Sequence, residues 1–142
     1  MARRRRQPRP VPLHEREIAE GEALDVYRIV KTTDRRDPAF VDGFRSRAEL
    51  GIPPRQYSPE AMTPRIHEGL SAFTTFERAA ETARKFPPLG GYIARVRLVA
   101  GCGFTIGEWG TRGPEGHLTI FGDALMLSQA VVDIVLVNEG ST

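Results

Sequence analysis

Apolar residues recur at Phe76, Ala79, Ala80 and Ala83, the i, i+3, i+4, i+7 spacing of a helix with a single apolar stripe. Directly before it, Leu70-Ser71-Ala72-Phe73 is a compact apolar run that predicts a strand. The junction Thr74-Thr75-Phe76-Glu77 fits a capping box in which the Thr74 hydroxyl accepts from the Glu77 amide and the Glu77 carboxylate reaches back. The stretch His67–Ala83 is therefore a strand delivered into a helix start, and the rest of the chain is arranged around it.

Period-two alternation marks the other strands. Across Leu24–Thr32 it puts Val26, Arg28 and Val30 on one face and Tyr27, Ile29 and Lys31 on the other. Across Gly91–Ala100 it puts Tyr92, Ala94, Val96 and Leu98 on a buried face, with Arg95 and Arg97 between Ile93 and Val99 on a partly wet one. Ala130–Val137 is nearly unbroken, Asp133 being its one polar interruption, and predicts a strand covered on both faces in mid-sheet. Shorter strands are expected at Phe104–Ile106 and His117–Phe121.

Helical turns are expected within Leu13–Ala23, from Pro38 to about Phe44, and after Asp123 through Leu127. Gly51–Arg65 holds Pro53, Pro54, Pro59 and Pro64, which rules out a long regular element there. A loop of that length in a small domain points to function or mobility. The order β, α, loop, β, α, β, β, β predicts a single α+β domain with a mixed, mostly antiparallel sheet and a few short helices. Its body is expected at residues 24–138, after a basic arm and short helix over 1–23 and before a tail at 139–142. The 142-residue length suits one core.

Charge changes this picture only at one end. Met1–Pro10 carries five arginines and no acid, so the remaining chain is mildly acidic although the net charge is +2. The arm has almost no apolar surface to offset the entropy of ordering, and it is expected to stay disordered. Its Arg3–Arg6 run would bind nucleic-acid phosphates weakly and without sequence preference; with no aromatic to stack on bases, it reads equally as a solubilising end. No apolar run approaches the roughly 18 residues of a membrane-spanning helix. The single Cys102 and three scattered histidines give neither an internal disulfide nor zinc-ligand spacing, so no metal is expected and a reducing cytoplasm is the natural location. Val11–Gly21 is charged where a signal peptide would be apolar, which predicts no export.

Several polar residues stand where chemistry could occur. Arg28, mid-strand on an apolar face, reads either as a snorkelling side chain or as a fixed guanidinium fork for a phosphate or ribose. Ser71 either satisfies local backbone or presents a hydroxyl to a cleft, and no GxSxG elbow marks it as a nucleophile. His117, at a strand start, and His67, beside Glu68, are candidates for acid/base work, against the plainer reading of structural histidines. Arg45, Arg47, Arg55 and Arg65 flank the long loop and would gather an anion if they converge; dispersed, they are ordinary surface charge. Glu108 and Glu115 lie in a glycine-rich connection free enough to reach a pocket.

Val26-Tyr27-Arg28 together with Gly69-Leu70-Ser71-Ala72-Phe73 leading into Thr74–Ala83, and the β-rich end, resemble the ADP-ribosyltransferase-like superfamily, particularly its small bacterial RES-type and rifampin-transferase-like members. The resemblance implies a split α+β sheet that binds NAD, with Arg28 on the phosphates or ribose and Ser71 shaping the nicotinamide pocket; Tyr27, His67 and Arg45 would complete the NAD site. It implies cleavage of the N-glycosidic bond, a carboxylate stabilising the oxocarbenium-like ribose. By position the third residue would be Gln129, an amide without the charge, and Glu108 or Glu115 would substitute. Expected functions are therefore an NAD-consuming transferase or toxin-like glycohydrolase or, alternatively, a non-catalytic module that binds nucleic acid through its arm or a protein partner.

Overall fold

The computed structural model describes residues 12–109 and 116–138. In chain order the elements are β1 (His14–Glu17), β2 (Ala23–Val30), α1 (Pro38–Asp42), α2 (Pro59–Met62), α3 (Pro64–His67), β3 (Leu70–Phe73), α4 (Phe76–Lys85), β4 (Tyr92–Val99), β5 (Thr105–Glu108), β6 (His117–Phe121), α5 (Ala124–Gln129) and β7 (Val131–Leu136). The strands form one α+β sheet in the order β1-β5-β6-β3-β2-β4-β7. Every pairing among the described residues is antiparallel, so the sheet is not mixed.

The sheet nearly divides in two. β2 runs beside β4 over its whole length, from Ala23 opposite Val99 to Val30 opposite Tyr92. With β3 it pairs at Tyr27–Phe73 alone. The halves β1-β5-β6-β3 and β2-β4-β7 are thus joined by a single paired position at the end of β3.

Each face has its own core. Val26, Val30, Leu70, Ala72, Ala94, Val96, Leu118 and Ile120 are buried on one side under Phe40 and Phe44 of the α1 region and Ala124 and Leu127 of α5. On the other side Phe73 and Ile93 pack against Ala79, Ala80 and Ala83, the stripe of α4. Arg28 alternates with Tyr27 and therefore leaves the sheet on the first side. Ser71, two residues from Phe73, leaves it on the second.

Several expectations are corrected. Leu13–Ala23 is not helical: β1 pairs with β5, Gly21 turns the chain at φ +81°, and the bidentate Arg16–Glu22 pair at 2.9 and 3.1 Å closes the turn. Ile18 enters the first core, so the folded body begins before residue 24. The α4 cap is Thr75, whose hydroxyl accepts from the Arg78 amide at 3.2 Å, because the Thr74 amide is already committed to the Gly116 carbonyl at 2.8 Å. β7 is an edge strand with Val132 and Leu136 exposed, not a central one. The strand expected at Phe104–Ile106 begins one residue later and runs to Glu108. The proline-rich stretch makes two single helical turns, each opened by a proline, Pro59 and Pro64. No helix of the described residues is long and apolar enough to cross a membrane. The basic arm through Val11 and the tail from residue 139 lie outside the described residues.

Candidate functional site

The split between β2 and β3 is closed by a side chain. Arg28 donates from Nε to the Gly43 carbonyl at 2.9 Å and from Nη1 to the Ser71 carbonyl at 2.7 Å. Its guanidinium carbon lies 6.0 Å from the centroid of the Phe44 ring. The arginine thus supplies, at the mouth of the split, a hydrogen bond that strand pairing would otherwise have made. Burial of the guanidinium pulls its pKa down to about 10, which leaves it charged at neutral pH. Nη2 has no hydrogen-bond partner among the described residues.

Arg28 forms part of the wall of an open cleft of about 690 Å³. It is lined by the far end of β2, the α1 region and Leu50, together with Ser71, Phe73 and Leu89. Four cations, Arg28, Lys31, Arg45 and Arg47, line it against one acid, Asp42. Arg45 is held by Asp42 at 2.9 Å and Glu49 at 3.8 Å, and Arg47 lies 3.7 Å from Glu60. The uncompensated positive charge is therefore concentrated at Arg28 and Lys31.

Across β3 from Arg28 stands a second group. His117 Nε2 lies 3.1 Å from the hydroxyl of Ser71, which is exposed. Phe73 meets the imidazole edge-on at 5.4 Å between centroids, and Trp109 at 4.7 Å. Trp109 is fixed in turn by Nε1 donating to the Thr119 hydroxyl at 3.0 Å. Burial pushes His117 down to about 4, so it is neutral at pH 7. Its Nδ1 is buried and has no partner among the described residues. A serine nucleophile needs a histidine whose second nitrogen is held by a carboxylate or carbonyl; among the described residues Ser71–His117 has no such group.

Of the residues singled out in the sequence, Arg28, Ser71 and Arg45 line the cleft, and His117 reaches the Ser71 hydroxyl from β6 without lining it. Others do not. Tyr27 packs with the α4-side core, away from the cleft lining. His67 ends α3, with Nδ1 3.9 Å from Glu60, and does not line the cleft. Glu108 is an exposed residue opposite His14 on the outer pair of strands. Gln129 is exposed at the end of α5; the next residue, Ala130, accepts from the Arg97 amide at 2.9 Å, towards the opposite end of β4 from the Ala94 that pairs with Arg28. Gln129 is not part of the cleft lining, and the side chain that meets the Ser71 hydroxyl is His117. Arg55 and Arg65 are likewise outside the cleft lining, Arg65 being tied to Glu15 and Glu68 at 2.9 and 3.0 Å. Glu115 and Arg3–Arg6 lie outside the described residues.

Two participants escaped the sequence reading. The Gly43 carbonyl is a backbone atom that no side-chain pattern reveals. Trp109 meets His117 through the β5–β6 register, in which Gly107 faces Thr119 and the chains continue alongside. Only the alternation of His117 and Thr119 on one strand hinted at a shared face. Comparison with protein-family models, with curated proteins and with solved structures gives no match to this chain.

Proposed function

We propose that the chain is an NAD-binding protein of ADP-ribosyltransferase-like type, acting on the N-glycosidic bond of NAD as a transferase or as a toxin-like glycohydrolase. The observation that carries this reading is the Arg28 guanidinium, wedged into a split antiparallel sheet, with Nη2 unpartnered among the described residues, in the wall of a cleft of about 690 Å³. That volume falls in the usual range for small-molecule pockets. A fixed guanidinium with Nη2 to spare is suited to a phosphate oxygen, and the Ser71 hydroxyl, held by His117, is suited to a neutral polar group such as a carboxamide. Asp42 is the carboxylate of this wall, and stabilisation of an oxocarbenium-like ribose falls to it. The lone Cys102 fits a reducing cytoplasm, where NAD is the substrate at hand.

Incubating the purified protein with NAD and measuring free nicotinamide tests the chemistry. Release that saturates with NAD and falls at least tenfold in Asp42→Asn supports it, whereas no release together with no binding at millimolar NAD rejects the whole reading.

A second reading, a binding module that keeps the cleft without the chemistry, draws on Asp42 itself. The carboxylate is already engaged by Arg45 at 2.9 Å, and no other acid lines the cleft among the described residues. NAD binding without nicotinamide release selects this reading. A nucleic-acid role for the arm adds a separate expectation: deleting Met1–Pro10 abolishes salt-sensitive binding of DNA or RNA, and unchanged binding rejects it.

A further inference from the structure

We infer that Trp109 is a positioning residue for the candidate site: it holds the His117 ring so that His117 Nε2–H donates to the Ser71 hydroxyl, leaving the Ser71 proton to be given to a ligand. The inference rests on the reading of Ser71 as a ligand-facing group.

The geometry supplies each step. Trp109 cannot rotate freely, because its Nε1 donates to Thr119 at 3.0 Å and Thr119 is itself buried on β6. Its ring lies against the imidazole at 4.7 Å with an interplanar angle of 66°, while Phe73 closes another side at 5.4 Å and 79°. The imidazole is thereby held between two aromatic rings, with Nε2 directed at Ser71 Oγ at 3.1 Å.

The same packing decides the tautomer. Nδ1 is buried without an acceptor among the described residues, so a proton placed there would be a buried unsatisfied donor. A proton on Nε2 is satisfied at once by Ser71 Oγ. The Ser71 hydroxyl, receiving that bond, keeps its own hydrogen for another acceptor. This is the reverse of the polarity in a serine nucleophile, where the imidazole accepts. Among the described residues, the groups packed on the ring, Ser71, Phe73 and Trp109, carry no charge; the charged side chain that the described residues place beside this strand start is Arg78 of α4, which lies against the space a Cβ on Gly116 would fill.

Side-chain nitrogen NMR of the full chain tests the inference. In the wild type, His117 is expected as the Nε2–H tautomer. Trp109→Phe keeps an aromatic ring but loses the Thr119 bond, and Thr119→Val loses the same bond from the other side. Both are expected to mix the tautomers and to move the His117 midpoint up by about one pH unit or more as water reaches the ring, and to weaken NAD binding about as much as Ser71→Ala does. A wild-type Nδ1–H tautomer, or tautomer and midpoint unchanged in two folded variants, overturns the inference. If the NMR changes occur while no variant, wild type included, binds NAD, the positioning role stands and the NAD reading falls.

Discussion

Arg28 is a charge that the fold uses twice. Its two carbonyl bonds join the α1 region and β3 to β2, so truncation to alanine strips both carbonyls of their donor and removes buried contacts with Phe44. Each lost bond to a charged donor costs about 1.5–3 kcal/mol, so the fold weakens along with any ligand binding. Arg28→Lys is the sharper probe. An ammonium cannot span Gly43 and Ser71 as the planar fork does; urea unfolding is expected to show a loss of about 1–3 kcal/mol, with the far-UV spectrum retained. His117 gives a pH signature of known sign. Its folded pKa, about 4, lies below its ordinary value of 6.5, so the unfolded chain takes up the proton first. The stability tied to neutral His117 is therefore complete above pH 6.5 and lost as pH falls towards 4. Urea midpoints at pH 7 and pH 4.5 should differ more in the wild type than in His117→Asn, and an equal difference would contradict the buried neutral imidazole.

At the scale of elements, the start of α4 is set by its own cap and by one distant contact. Thr75→Ala is expected to cost about 1 kcal/mol by removing the bond to the Arg78 amide, and Thr74→Ala only a few tenths, measured by thermal or urea unfolding. The helix, its stripe and the preceding strand were legible because they depend on neighbours in sequence. The cap slipped by one residue because the Thr74 amide is taken by the Gly116 carbonyl, a contact from the far side of the chain. β7 failed for a related reason: an apolar run records hydrophobicity, not which strand lies beside it, and nothing in Val131–Leu136 announces an edge. β1 was hidden by its charges, since an exposed edge strand need not alternate, and pairing with β5 overrode any helical tendency. Of the site, Arg28, Ser71, His117 and Arg45 stood out by residue type and setting. Their convergence did not, because it depends on a split held by one residue pair, Tyr27–Phe73.

The whole molecule sets a basic, open cleft into the seam between two half-sheets, with an aromatic-clamped histidine and a serine on the adjoining strand. The seam gives the cleft both rigidity and access. Each half is paired strand to strand within itself, and Arg28, which bridges them, still has a donor to spare among the described residues. A single calorimetric titration of NAD into the wild type and into Arg28→Lys addresses this arrangement. Saturable binding to the wild type, weakened at least tenfold by the lysine while the protein remains folded, is the predicted result. Absence of binding to the wild type up to millimolar NAD, or equal binding by both proteins, would contradict an Arg28-centred NAD site.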